Sequence, residues 1–216
     1  MLRPVDAKPA PWPEAEFIVV NPPFVAGKGL RAELGTGYAE ALWSAYPKVP
    51  PSIDLATFFW WRGEGLEGRR GQPGKLRRFG FITSNSIRQV FCRRVNAAAM
   101  EGKKPLYLAF AIPDHPWAQG NGAAAVRIAM TVAAPNTGTG RLLTLEREGA
   151  GAVKEVQLAE REGVVNADLT DGASPTVARS LQANKDMSCP GVKLHGAGFI
   201  VSPTTATALG LGMYQG

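Results

Sequence analysis

A four-residue apolar run, Phe17-Ile18-Val19-Val20, ends abruptly in Asn21-Pro22-Pro23-Phe24. A short continuous run rich in β-branched residues reads as a buried strand of a parallel sheet. The tetrapeptide after it is unusually constrained. The residue before a proline is pushed out of the helical region, so Asn21 is held extended. Pro22 has a fixed φ and no N–H, so its carbonyl points in a preset direction with no adjacent donor competing for it. Asn21 adds a side-chain carbonyl, and Phe24 adds a ring. In an open α/β sheet, ligands bind beyond the carboxyl ends of the strands. The tetrapeptide is therefore expected at the carboxyl end of a central strand, with two acceptors and an aromatic face converging on one small spot. The plainer alternative is a turn that merely ends a strand.

The rest of the chain alternates strand and helix. Residues 1–16 are Pro-rich and polar and read as an irregular lead-in. Ser52 reads as the N-cap of a helix through Leu55, Phe58, Phe59 and Leu66, with Asp54 favouring its start. A basic, glycine-rich turn region comes next. Phe79–Thr83, Leu106–Ile112 and Ala123–Ala133 read as strands, and Ile87–Met100 as a helix. This order implies an α/β fold with a parallel sheet over residues 17–135. After Pro135 the runs shorten. Leu142–Glu146, Val153–Leu158 and Val164–Leu169 suggest a small antiparallel, β-rich extension over 136–216. Pro175–Ala183 reads as a short helix and Val192–Val201 as an extended run. Trp43, Trp60 and Trp61 read as core.

A net charge of +6 suits an anionic partner, nucleic acid included. Cys92 and Cys189 stand far apart, and His115 and His195 complete no zinc pattern with them, so no metal is expected and the thiols read as free in a reducing cytoplasm. The N-terminus lacks a signal-peptide core and no segment is long enough to span a bilayer, which points to a cytoplasmic protein without a membrane partner.

Paired acceptors beside a ring fit a planar group carrying an NH2, such as the exocyclic amine of adenine. Its lone pair is delocalised into the ring; two acceptors on its N–H bonds favour a more tetrahedral nitrogen with a freer lone pair. Phe24 would stack on the base, which must first be flipped out of the duplex. The segment from Phe17 to Phe24 is similar to motif IV of the amino-methyltransferases. The continuation Val25-Ala26-Gly27-Lys28-Gly29-Leu30-Arg31 resembles the MmeI-like branch of bacterial restriction-modification DNA methyltransferases, which are adenine-specific. So do Tyr38 with Ala41-Leu42-Trp43, Asp54-Leu55 with Phe58-Phe59, and the runs 79–89 and 126–132. Several such words in order over residues 15–135 outweigh one tetrapeptide; residues 180–201 match loosely.

The resemblance implies part of a Rossmann-like sheet that uses S-adenosylmethionine as methyl donor and double-stranded DNA as partner. It implies that Asn21 and the Pro22 carbonyl hold the amine and that Phe24 stacks on adenine, with Pro23 counted among the catalytic residues of the motif. It places Ser84 and Asn85 beside the pocket, and Lys28, Arg31 and Arg88 within reach of DNA phosphates. Arg88, Arg93 and Arg94 have a solvated helix face as their alternative. In one respect the chain departs from the family. The family's glycine-rich donor loop precedes the Asn-Pro-Pro-Phe words, and residues 1–16 contain no glycine. The chain is accordingly expected to be a fragment, inactive alone, with no donor bound. Self-association, or a partner chain carrying the donor-binding half, is expected with it. Two other classes compete: a protein glutamine or RNA guanine methyltransferase, which also grips an NH2, and a non-catalytic remnant that binds DNA or a partner chain.

Overall fold

The computed structural model describes residues 7–11, 15–50, 52–64, 76–117, 126–149, 156–173, 182–184 and 201–211. Residues 1–178 form one compact unit and 179–216 a second. In the first unit, β1 (Phe17–Val20) leads through a 3-10 turn, Gly27–Gly29, into α1 (Leu30–Leu34) and α2 (Thr36–Ala45). Then come α3 (Leu55–Glu64), β2 (Arg78–Ser84), a 3-10 turn at Asn85–Arg88, and α4 (Val90–Glu101). Four strands complete the unit: β3 (Leu106–Trp117), β4 (Val126–Pro135), β5 (Gly140–Glu148) and β6 (Val156–Gly163). In the second unit, α5 (Pro203–Ala208) starts from Ser202, whose hydroxyl accepts the Thr205 N–H, with Pro203 at its first turn.

The six strands make one mixed sheet in the order β1-β2-β4-β3-β5-β6. The α/β reading holds, but the expected all-parallel sheet does not. β1 and β2 are parallel, as are β3 and β5, while β4 runs antiparallel to both of its neighbours. The reason lies in the connections. α1, α2 and α3 lie between β1 and β2, and α4 between β2 and β3, and those strands run in one sense; β3 and β4 succeed each other with no described helix between them and pair as antiparallel neighbours. β5 and β6 form the expected antiparallel pair, and β5 joins the main sheet through β3.

β1 also departs from expectation. Among the described residues it is an edge strand, paired with β2 alone. Ile18 faces the core, whereas Phe17 is 53% and Val19 88% exposed. A largely apolar groove of about 850 Å³ runs beside it, lined by β1, α2 and α3, with Arg62 and Lys8 at its polar points. Of the other sequence expectations, Val164–Leu169 is a turn instead of a strand. Pro175–Leu181, Val192–Ile200, the glycine-rich stretch 65–75, Cys189 and His195 lie outside the described residues.

The core sits between the sheet and α3 and α4. Trp60 is 1% exposed, meets Phe79 edge-on at 5.1 Å, and donates its indole N–H to Thr131 Oγ1 at 3.2 Å. Phe79, Phe81 and Thr83 alternate on one face of β2 and are all buried. Trp43 and Trp61 are partly buried against the same cluster.

Candidate functional site

The carboxyl ends of β1 and β2 lie side by side, since the two strands are parallel with Val20 opposite Phe81. Asn21 therefore leaves the sheet at the same end as Ser84 and Asn85. Asn21 is exposed, Pro22 buried, Pro23 exposed and Phe24 half-buried. The Val25 N–H returns to the Pro23 carbonyl at 3.1 Å, and the Val25 carbonyl accepts the Leu55 N–H at 2.9 Å. The corner is thus tied to the start of α3. Neither the Asn21 side chain nor the Pro22 carbonyl takes a hydrogen bond from the described residues.

Gly27 locks the next segment. A Cβ there would stand 2.6 Å from the Ile53 carbonyl oxygen and 3.0 Å from that of Ser52. Only a glycine lets the backbone come this close. Lys28 is next, exposed on the 3-10 turn. Arg31 is exposed too, but its guanidinium is held by Glu40 at 2.7 Å. Such an exposed pair adds about 0–1 kcal/mol, so a phosphate can displace Glu40 at small cost.

Asp54, and not Ser52, caps α3: its Oδ1 accepts the Thr57 N–H at 2.7 Å. Its other oxygen accepts from Ser84 Oγ at 3.1 Å and from Ser86 Oγ. The side chain is only 7% exposed. A buried carboxylate needs such donors, and here they join the start of α3 to the turn after β2. We expect Asp54→Ala to lower stability by about 2 kcal/mol, since it removes a cap and takes the shared acceptor from the Ser84 and Ser86 hydroxyls, leaving them only each other. Urea unfolding checks this; a loss under about 1 kcal/mol means that the joint is not made.

Asn85 continues the network. Its Nδ2 donates to Asp114 Oδ1 at 3.0 Å, and the same oxygen accepts Arg127 Nε at 2.5 Å. Arg127 also donates to Glu148 at 2.9 Å. The hydrogen bond to Asp114, then that to Glu148, raises the guanidinium pKa and keeps Arg127 charged. Asn85 Oδ1 is buried and finds no donor among the described residues. Arg88 turns the other way, its Nε donating to the Asp168 carbonyl at 3.0 Å.

The sequence-predicted Asn21, Pro22, Pro23, Phe24, Ser84, Asn85 and Arg88 lie at one end of the sheet. Asp114, Arg127 and Asp168, which join them through hydrogen bonds, are not among the predicted residues, because β3 runs past Ile112 to Trp117 and the 164–170 turn carries the apolar pattern of a strand. Cys92 is free and buried. No group of three metal-binding side chains occurs among the described residues, and no described helix is long and apolar enough to cross a membrane.

No protein-family model and no curated protein matches the chain. A solved structure does. The Type IIL restriction-modification enzyme MmeI, in complex with DNA, matches with a TM-score of 0.51 and 19% identity, over 73% of this chain and 20% of that one. The fold is shared with MmeI. The chain spans about a fifth of that enzyme's length, and at this identity the likeness speaks for the fold alone.

Proposed function

We propose that this chain is the target-base half of a DNA adenine-N6 methyltransferase of the MmeI-like branch. The observation that carries the reading is the pair of uncommitted acceptors, Asn21 Oδ1 and the Pro22 carbonyl. They stand at the carboxyl end of β1 with half-buried Phe24 beside them. A solved neighbour that is a restriction-modification enzyme holding DNA supports it.

Each of the chain's own residues would have a distinct task. The two acceptors take the two N–H bonds of the flipped adenine's amine and free its lone pair. Phe24 holds the ring plane. Ser84 and Asn85, braced by Asp54 and Asp114, wall the pocket. Lys28, Arg31 and Arg88 meet the DNA backbone. S-adenosylmethionine supplies the methyl group in the complete enzyme, but the described residues do not fit it. The Gly27-Lys28-Gly29 backbone is closed on itself: the Ile53 carbonyl fills the space beside Gly27, and the Gly29 N–H is spent on Ala26.

Amide and aromatic NMR tests the reading. Deoxyadenosine is expected to shift the Asn21 side-chain NH2 and the Phe24 ring, and thymidine is not. In calorimetry the 216-residue chain is expected to take up no S-adenosylmethionine. Equal response to both nucleosides would favour the non-catalytic DNA- or partner-binding module, a reading helped by the poor donor fit. Donor binding at micromolar concentration would mean that the donor site was misjudged.

A further inference from the structure

Between the turn after β2 and the 164–172 loop lies a polar cleft of about 320 Å³, lined by Asn85, Ser86, Arg88, Gln89, Arg93 and Asp168. Its walls are tightly built. Asn96 of α4 is fully buried and donates to the Ala167 carbonyl at 3.1 Å; Arg88 Nε holds the next carbonyl, that of Asp168, at 3.0 Å. The loop closes on itself through Asn166 N–H to the Thr170 carbonyl and Leu169 N–H to the Asn166 carbonyl. Leu169, 1% exposed, takes a φ of 60° to make that turn. Side chains avoid this left-handed region, and such strain persists only where the surroundings enforce it.

The cleft is rich in donors with nothing to donate to. With Nε committed, the two Nη groups of Arg88 have no partner among the described residues, and neither does the half-buried Arg93 guanidinium. Arg94 is different: it lies over the Phe91 ring at 5.6 Å. Gln89 precedes α4 without capping it, so the first N–H groups of a twelve-residue helix are open at the same place. The acidic lining residue, Asp168, has one carboxylate oxygen taken by Thr170 Oγ1 at 2.7 Å. Its remaining charge disfavours a dianion and tolerates a monoanion.

We infer that this cleft seats one phosphodiester of the DNA backbone, gripped by Arg88 Nη and Arg93 with the open end of α4 beneath it. The inference rests on the DNA reading above and deepens it, because Asn85 lines the cleft and also belongs to the proposed wall of the base pocket, beside Ser84. One clamped phosphate at that point would fix the strand beside the flipped base, since phosphate contacts set register and orientation. A phosphodiester carries one negative charge and is tolerated by Asp168; inorganic phosphate near neutral pH carries more.

Anisotropy titrations of a labelled DNA duplex across a range of salt test this. Arg93→Gln and Arg88→Gln are each expected to weaken binding about tenfold and to flatten the slope of log K against log[salt], by at most about 0.9 in each single variant and in the double variant alike, the share of the one phosphate both grip. Gln89→Glu puts a carboxylate at the cleft and the start of α4. It should preserve or raise the melting temperature, because the helix end favours negative charge, and still weaken binding. Lys103→Gln with Lys104→Gln, at the far end of the sheet, should change binding little. If the native chain has no salt-dependent duplex affinity, the DNA reading and the cleft both fail. If it binds and the three cleft variants keep the native slope, only the cleft fails. Inorganic phosphate displacing the duplex as well as competitor DNA does, phosphate for phosphate, would make this a free-anion site and overturn the inference.

Discussion

In an assembly of this chain that methylates DNA, Asn21→Ala is expected to lower turnover by on the order of 10²–10³ while duplex affinity stays within about twofold. Asn21 ends β1 exposed, and its side chain takes no hydrogen bond from the described residues. It is therefore free to act on a base. Removing it deletes an acceptor that matters most as the amine nitrogen becomes tetrahedral, and an interaction that strengthens toward the transition state shows in turnover and not in binding. On the proposed reading, DNA affinity would come mainly from cations such as Lys28 and Arg88, which the substitution leaves in place. Single-turnover methylation with labelled donor, set beside anisotropy on the same duplex, reads both quantities. Equal losses in the two would reduce Asn21 to a residue that ends a strand.

The local signals in the sequence are legible where short-range physics decides the outcome. The run Phe17–Val20 forms β1 because four apolar residues closed by two prolines have few other solutions. The helix around Phe58 and the strand around Phe81 form for similar reasons. Sheet order is not legible. The antiparallel insertion of β4 between β2 and β3 depends on long-range pairing, and periodicity says nothing about it. The cap of α3 is ambiguous in the sequence because Ser52 and Asp54 are both good caps; the choice goes to Asp54 through the hydroxyls of Ser84 and Ser86, thirty and more residues away. At the site, the tetrapeptide can be read from φ restriction alone. Asp114 and Arg127 cannot, since they meet only across the β3–β4 pairing. Nor can the Asp168 loop be foreseen, because a buried leucine with positive φ breaks the rule that sequence reading relies on.

Trp60→Ala is expected to destabilise the first unit by about 4 kcal/mol, a large part of the roughly 5–15 kcal/mol typical of a domain. The indole is the largest fully buried side chain among the described residues, with Phe79 edge-on to it and Thr131 Oγ1 on its N–H. Truncation loses the transfer energy of the ring, opens a cavity between α3 and the sheet, and leaves the Thr131 hydroxyl without its donor. Trp60→Phe keeps most of the volume and should cost about half as much. The consequence reaches the site, because α3 begins at Asp54 and Leu55, which hold the Ser84–Ser86 turn and the Val25 carbonyl. A helix loosened from the sheet would slacken both the Ser84–Ser86 turn and the Asn21–Val25 corner, the walls of the proposed base pocket. Thermal unfolding of the two variants, paired with the deoxyadenosine NMR titration at a temperature where Trp60→Phe stays folded, separates the effects. Weaker nucleoside shifts in a folded Trp60→Phe would trace the pocket's rigidity to this packing. A cost below about 1.5 kcal/mol for Trp60→Ala would mean that α3 does not pack on β2 and β4 through this ring.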